Sequence, residues 1–153
     1  MFPEHDTHTG STAHHDDRAQ FLVVADETSF AELDAALATL PLCARGRVFV
    51  EVADPSDIAV LSAPLRMVVT WLPRSTRAGR PGTGERCARG EAVARAVRAW
   101  SAEMLCDGPG ATRAILLGDY RTVADVYDHL LDEVGMSPDA VSAPAHFRLG
   151  FAR

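Results

Sequence analysis

The sequence predicts an α/β fold, in which helices cover both faces of a mainly parallel sheet. Short apolar runs alternate along the chain with stretches whose apolar residues recur every three or four positions. The first apolar run, residues 21–25 (Phe-Leu-Val-Val-Ala), contains no polar residue, which is typical of a strand buried on both sides. Alternation of such strands with amphipathic helices is the pattern of parallel sheets.

The first half of the chain contains one predicted helix and several predicted strands. The strands are predicted at residues 21–25, 47–53 and 67–72. The helix starts at Phe30, where leucines begin to recur at helical spacing. Asp26, Thr28 and Ser29 each carry an oxygen able to cap it. Residues 58–66 lack a clear pattern and are interpreted as a connector with a minor element.

The second half repeats the alternation after a loop at residues 74–84. That loop holds three glycines, a proline and three arginines, which predicts a mobile basic surface loop. Helices are then predicted at 91–100 and 123–134, and strands at 112–118 and 140–150. Gly135 is a suitable stop for the last helix. Pro144 indicates that the last strand lies at an edge or is interrupted.

Composition limits the classes of partner. The chain has 153 residues, which suits one domain, and its net charge of −6 predicts no nucleic-acid or anionic-membrane partner. No apolar run approaches the ~20 residues that span a bilayer. The start of the chain has no secretory pattern. Cys43, Cys87 and Cys106 form no metal or disulfide pattern, which favours reduced thiols in a cytoplasmic protein.

Residues 1–18 differ from the rest of the chain. They are polar, histidine-rich and without periodicity, which predicts a disordered leader before a domain at 19–153. A specific metal site is not expected there, because nothing fixes the geometry of the imidazoles. We predict no catalytic residue. An unrelated hydrolase is not indicated because the chain lacks Gly-x-Ser-x-Gly, and it also has no Walker loop and no complete Gly-x-Gly-x-x-Gly. On pattern alone, the turn at 26–29 is interpreted as ordinary β-α-β structure.

Four segments together carry a family resemblance. They are Asp26-Glu27-Thr28, Val50-Glu51-Val52 with the later Val69-Thr-Trp-Leu-Pro-Arg74, Leu117-Gly118-Asp119, and residues 139–150. In this order, residues 21–150 resemble the C-terminal, nicotinamide-binding domain of siderophore-interacting proteins, the NADPH-dependent ferric-siderophore reductases of the ferredoxin-reductase superfamily. The resemblance implies a Rossmann-like fold that holds NADPH at the carboxyl ends of its parallel strands.

The resemblance also implies which residues hold the cofactor. The turn Asp26-Glu27-Thr28-Ser29 would offer backbone N–H groups to the pyrophosphate. Arg74 would bind the 2′-phosphate, with help from Arg77 and Arg80. Gly118 and Asp119 would lie near the nicotinamide. Two alternatives stay open: Arg77 and Arg80 as ordinary solvated residues, and Asp119 as a helix cap.

Departures from the family pattern shape the functional prediction. Ala25 stands where the family has a glycine, and His146-Phe147 replaces Tyr-Trp. About twenty residues precede the first strand, which is too few for the family's flavin-binding barrel. We therefore predict that FAD is supplied by a separate flavin-binding protein or as free flavin, and that the chain alone is not an active reductase. The alternative is a catalytically inactive binding or regulatory module that kept the fold.

Overall fold

The architecture is a five-stranded parallel sheet, seen in a computed structural model that describes residues 19–150. The predicted leader at 1–18 lies outside the described residues. The strands are β1 Gln20–Asp26, β2 Arg45–Val52, β3 Arg66–Pro73, β4 Arg113–Leu116 and β5 Val141–Ser142. Their order across the sheet is β3-β2-β1-β4-β5, and every neighbouring pair is parallel. The apolar run of β1 is thus explained by its central position, and the predicted fold class is confirmed.

The helices divide between the two faces of the sheet. They are α1 Phe30–Thr39, α2 Glu91–Met104 and α3 Tyr120–Asp128, and α3 continues into a π-helical turn at His129–Glu133. The buried leucines of α1 pack with one set of strand residues, including Val23 and Val48. Helices α2 and α3 pack with the opposite set, including Leu22 and Val24. Because neighbouring strand residues face opposite sides, β1 contributes to both cores.

The structure differs most clearly from the sequence prediction in the segment after α3. The strand predicted at 140–150 is wrong in length, since only Val141 and Ser142 pair with β4. Pro144 lies two residues after Ser142, and Ala145–Phe147 form a 3₁₀ turn instead. A proline has no N–H for a ladder hydrogen bond, which ends the strand. The minor element expected within 58–66 is also misplaced, because the 3₁₀ turn lies earlier, at Pro55–Asp57.

Other predicted features keep their place with shifted ends. The helix predicted at 123–134 is α-helical only to Asp128 and starts at Tyr120. Gly135 follows the π-helical turn with φ of 79°, as expected of a helix stop. The three cysteines, all within the described range, are free thiols. No helix between residues 19 and 150 is both long and apolar enough to cross a bilayer.

Candidate functional site at the carboxyl ends of the strands

Four parallel strands end at the same side of the sheet, which we call the carboxyl edge. It is formed by the ends of β1 to β4 and the first residues after each of them. Asp26 ends β1, Glu51 lies one residue before the end of β2, and Arg74 follows β3 directly. Gly118 and Asp119 lie between β4 and α3. Seven of the nine residues predicted to contact the cofactor therefore share one edge.

The turn after β1 is closed by its own side chains. Asp26 is fully buried, and its Oδ1 accepts hydrogen bonds from the backbone N–H of Thr28 at 2.9 Å and from the Thr28 hydroxyl at 2.5 Å. The backbone N–H of Ser29 donates to the Asp26 carbonyl at 3.1 Å. Two of the N–H groups predicted for a pyrophosphate are thus engaged within the turn.

The same turn corrects the predicted capping of α1. Ser29 is the N-cap residue, but no side chain caps this helix. The Ser29 hydroxyl lies instead 3.2 Å from the Asp26 carbonyl oxygen and 3.2 Å from the Asp26 nitrogen. The first N–H groups of α1 therefore have no side-chain acceptor in this structure.

Gly118 is required by a close approach to Asp26. It has φ of 115°, and a Cβ atom at this position would lie 2.7 Å from Asp26 Oδ2. Asp26 Oδ2 also accepts the backbone N–H of Asp119 at 2.8 Å. One buried carboxylate thus joins the end of β1 to the start of α3, which explains the small residue without reference to a ligand.

Asp119 caps α3, as one of the two sequence interpretations held. Its Oδ1 accepts the backbone N–H of Thr122 at 2.9 Å. Burial raises the pKa of the Asp119 carboxyl, but hydrogen bonds from Thr122 and Arg89 together lower that pKa below its usual value. Asp119 is therefore an anion that stabilises the helix start.

Arg74 is held between two carboxylates and is not part of a solvent-exposed loop. Its Nη1 donates to Glu51 Oε1 at 3.0 Å and to Glu27 Oε2 at 3.1 Å, and its Nη2 donates to Glu27 Oε1 at 2.6 Å. Only 12% of its side chain is exposed. The hydrogen bond to Glu27 raises the pKa of Arg74, although burial opposes this. Burial raises the pKa of Glu27, but Arg74 and Arg89 lower it to a net value below normal.

Glu51 is a site residue that the sequence prediction did not select. Its side chain is fully buried and accepts the backbone N–H groups of Gly90 at 2.7 Å and Val93 at 3.0 Å. Gly90 is the N-cap of α2, has φ of 83°, and has no side chain with which to cap the helix. Glu51 supplies that function from the neighbouring strand. A single acidic residue in the apolar stretch Val-Phe-Val-Glu-Val was the available signal.

Arg89 is the second residue that the sequence prediction missed. Its Nη2 donates to Glu27 Oε1 at 2.9 Å, and its Nη1 lies 3.4 Å from Asp119 Oδ2. No sequence pattern indicates this, because the position of Arg89 depends on the path of the long loop before α2.

Arg77 and Arg80 are predicted residues that lie outside this cluster of charged side chains. Arg80 lines a depression beside α2 with Arg95 and Arg98. Arg77 lines another depression beside α2, with Ala92 and Arg95.

A separate polar cluster lies between α2 and α3. Ser101 Oγ lies 2.9 Å from His129 Nε2, and His129 Nδ1 lies 3.2 Å from Glu133 Oε2. The order of side chains is that of a hydrolytic triad. However, Ser101 lies inside an α-helix and its Oγ is also bonded to the Arg98 carbonyl oxygen at 3.1 Å. The backbone N–H groups around it serve the helix and cannot form an oxyanion hole, so the cluster is a packing contact.

Metal binding by the described part of the chain has no support in its side-chain arrangement. Among residues 19–150, no group of three or more His, Cys, Asp or Glu side chains is placed to hold a metal ion. The carboxylates of the carboxyl edge are instead directed at guanidinium and backbone N–H groups. The chemistry of this edge is therefore that of an arginine–carboxylate network.

The family of the chain is decided by a match that covers most of its length. The model of the family described as "Siderophore-interacting protein" matches residues 18–150. The chain belongs to this family. The resemblance found in the sequence is thereby confirmed.

Curated relatives of this family member match over a shorter region. Uncharacterized proteins from Mycobacterium tuberculosis and Mycobacterium bovis are 44% identical to it over 57 residues. That region is 37% of this chain and 20% of each relative. The matched part is thus a small share of those proteins.

Solved structures share the fold over nearly the whole described domain. The siderophore-interacting protein SipS from Aeromonas hydrophila has a TM-score of 0.62 at 18% identity, covering 83% of this chain and 50% of that chain. A siderophore utilization protein from T. fusca has a TM-score of 0.58 at 24% identity, covering 80% and 42%. At these identities the likeness establishes the fold. The chain spans half or less of each of these two structures.

Proposed function

We propose that this chain binds NADPH at the carboxyl edge and acts with a separate flavin component in ferric-siderophore reduction or related iron metabolism. One observation carries the proposal. The guanidinium groups of Arg74 and Arg89 converge on a single anionic group, the Glu27 carboxylate. Two guanidinium groups directed at one anion form the donor arrangement that a phosphate requires. Membership of the siderophore-interacting family supplies the substrate class.

The residues present fit a nicotinamide dinucleotide in part. Arg74 and Arg89 would hold the 2′-phosphate. The first-turn N–H groups of α1, which no side chain caps, would face the pyrophosphate. The N–H groups of Thr28 and Ser29 do not fit this role, because Asp26 already accepts both.

In this proposal the cofactors carry out the redox chemistry, and the side chains of the chain bind and orient NADPH. Bound NADPH supplies a hydride, and a flavin is the acceptor in this proposal. The side chains of the carboxyl edge bind and orient, and none is proposed to transfer a proton. In this proposal, a flavin-binding protein or free FAD completes the reductase.

A second candidate is a binding or regulatory module that has lost nucleotide binding. Two observations favour it. Arg74 is already held by two carboxylates, Glu27 and Glu51. Ala25, which occupies the family's glycine position, is fully buried in the core, so it does not open the turn to a ligand.

Calorimetric titration with NADPH and NADH separates the two candidates. We expect wild-type protein to bind NADPH more tightly than NADH, and Arg74→Ala and Arg89→Gln to weaken NADPH binding by about tenfold or more. Arg66→Gln is the matched control, because Arg66 is an exposed arginine at the opposite end of β3. Circular dichroism spectra must show that each variant is folded. Absence of heat with folded wild-type protein would overturn the proposal and favour the second candidate.

Reductase activity is tested after binding. NADPH oxidation is followed with the chain alone, with added FAD, and with FAD plus a ferric siderophore. The proposal expects turnover only in the presence of flavin. Equal rates with and without the chain, despite NADPH binding, would refute the reductase part.

A further inference from the structure

We propose that Glu27 is a built-in competitor for the phosphate site, and that Arg74 and Arg89 bind a phosphate monoester only when the Glu27 carboxylate leaves them. We call these two guanidinium groups the arginine pair. The inference rests on the proposed function and concerns the regulation and specificity of the same site. The ligand class is a nucleotide with a phosphate monoester, such as the 2′-phosphate that distinguishes NADPH from NADH.

The contacts of Glu27 resemble those of a bound anion. Its two oxygens accept three hydrogen bonds from the arginine pair, at 2.6 and 3.1 Å from Arg74 and at 2.9 Å from Arg89. The Arg74 contact is bidentate, which is the geometry that guanidinium groups offer equally to carboxylate and phosphate. A phosphate oxygen pair would use the same N–H groups, so both anions cannot occupy them together.

The two carboxylates on Arg74 are not equivalent. Glu51 is fully buried and fixed by two backbone N–H groups of the α2 terminus, so it holds the guanidinium in place. Glu27 lies in the turn after β1, and 19% of its side chain is exposed. Glu27 is therefore the partner that can exchange while Arg74 stays oriented by Glu51.

Arg89 is the more exposed member of the pair, with 43% of its side chain accessible. Its shorter contact is to Glu27, and its contact with Asp119 is longer, at 3.4 Å. When the Glu27 carboxylate moves away, Arg89 keeps its longer contact with Asp119, and its Nη2 group becomes free to donate to another anion. The arginine pair is thus preorganised for an anion by two carboxylates, Glu51 and Asp119, that remain in place.

Charge explains why Glu27 competes instead of assisting. Three carboxyl groups, those of Glu27, Glu51 and Asp119, already contact the two guanidinium groups of the arginine pair. A phosphate that entered beside Glu27 would face a like charge at short distance, which is unfavourable in a partly buried site. Only the fraction of molecules with Glu27 withdrawn binds, which lowers the apparent affinity by that fraction.

The test measures binding of two small probes by calorimetry. The first is 2′,5′-ADP, which carries the 2′-phosphate monoester, and the second is NADH, which has no phosphate monoester. We expect Glu27→Gln to bind 2′,5′-ADP about tenfold more tightly than wild type, within the range of couplings between competing groups, and NADH less than about threefold more tightly. Arg89→Gln should weaken 2′,5′-ADP binding selectively.

Two further variants keep the test decisive. Glu103→Gln removes the same charge from an exposed residue near the C-terminal end of α2, away from the carboxyl edge, and should leave both affinities unchanged. Glu27→Asp keeps the charge but withdraws it by one methylene group. It should also tighten 2′,5′-ADP binding, and it substitutes for Glu27→Gln if that variant does not fold.

The outcomes separate this inference from the proposed function. If wild type binds 2′,5′-ADP and both Glu27 variants bind it equally well, the competitor role is refuted while nucleotide binding stands. If Glu27→Gln tightens both probes equally, Glu27 acts only as general charge and the inference is also refuted. If folded wild type and folded variants all fail to bind either probe, the proposed function fails with it.

Discussion

Replacing Glu51 by alanine is expected to remove the group that joins β2, Arg74 and the N-terminus of α2. The fully buried carboxylate accepts hydrogen bonds from Arg74 Nη1 at 3.0 Å, Gly90 N–H at 2.7 Å and Val93 N–H at 3.0 Å. Alanine at this position would leave two helix N–H groups and one face of a guanidinium without their acceptor. Gly90 has no side chain that can replace it.

The magnitude follows from the contacts that are lost. A hydrogen bond to a charged group contributes about 1.5–3 kcal/mol, and removing one partner of a buried ion pair costs about 3–5 kcal/mol. These costs overlap because they belong to one carboxylate. We therefore expect Glu51→Ala to lower the free energy of unfolding by about 3–5 kcal/mol. Glu51→Gln keeps the volume and one acceptor oxygen and should lower it by about 1–3 kcal/mol.

Urea unfolding at neutral pH, followed by circular dichroism, measures these losses. Glu103→Gln is the matched control, because it removes an acidic group from an exposed position on α2, and its effect should stay within about 0.5 kcal/mol. The double variant Glu51→Leu with Arg74→Met replaces both partners by apolar groups. It should lose less stability than the sum of its single variants, since no buried charge remains unpaired.

A small effect would refute the reasoning. If Glu51→Ala lowers the free energy of unfolding by less than about 1 kcal/mol with an unchanged urea slope, the carboxylate does not cap α2 to any useful extent. Strict additivity in the double variant would show that Glu51 and Arg74 stabilise the fold independently. Either result would also weaken the argument that Glu51 holds Arg74 for an anion.

Three further changes test other parts of the structure. Gly118→Ala should cost about 1–3 kcal/mol more than Gly82→Ala, because both glycines have positive φ but only at Gly118 does the new Cβ meet other atoms, at 2.7 Å; equal losses in urea unfolding would contradict this. The lowered pKa of Glu27 stabilises the fold above the carboxyl's ordinary value of 4.5, and this contribution disappears as the pH falls through the lower folded-state pKa. Glu27→Gln should therefore lose less stability than wild type on acidification, and identical pH profiles would refute the linkage. Ser101→Ala removes the hydrogen-bonding partner of Nε2 in buried His129 and should lower stability by about 1–3 kcal/mol, visible as a lower melting temperature; an unchanged melting temperature would show that the contact is not stabilising.

Local periodicity was sufficient to predict the central part of the fold. The first strand and the helix that starts at Phe30 lie where the sequence predicts them. A strand buried on both faces has a continuous apolar run, whereas a helix buried on one face has apolar residues every three or four positions. The short last strand was overestimated, because the apolar residues of 140–150 pack against the core without pairing. A segment that packs against the core without pairing has the same apolar composition as a paired strand. In residues 140–150, Pro144 was the residue that indicated an interruption.

The amino-acid sequence was sufficient to predict the parallel α/β fold, the family, and the edge at which seven predicted residues meet. The fold and the edge follow from the order of strands and helices and from the rule that parallel strands end at one side, and the family follows from four short segments. The tertiary structure alone decided the partners of the charged side chains. Glu27 contacts Arg74 and Arg89 across 47 and 62 positions of sequence, and Glu51 contacts the start of α2 across 39. Such contacts have no periodicity, because a guanidinium binds whichever carboxylate the folded chain brings within about 3 Å.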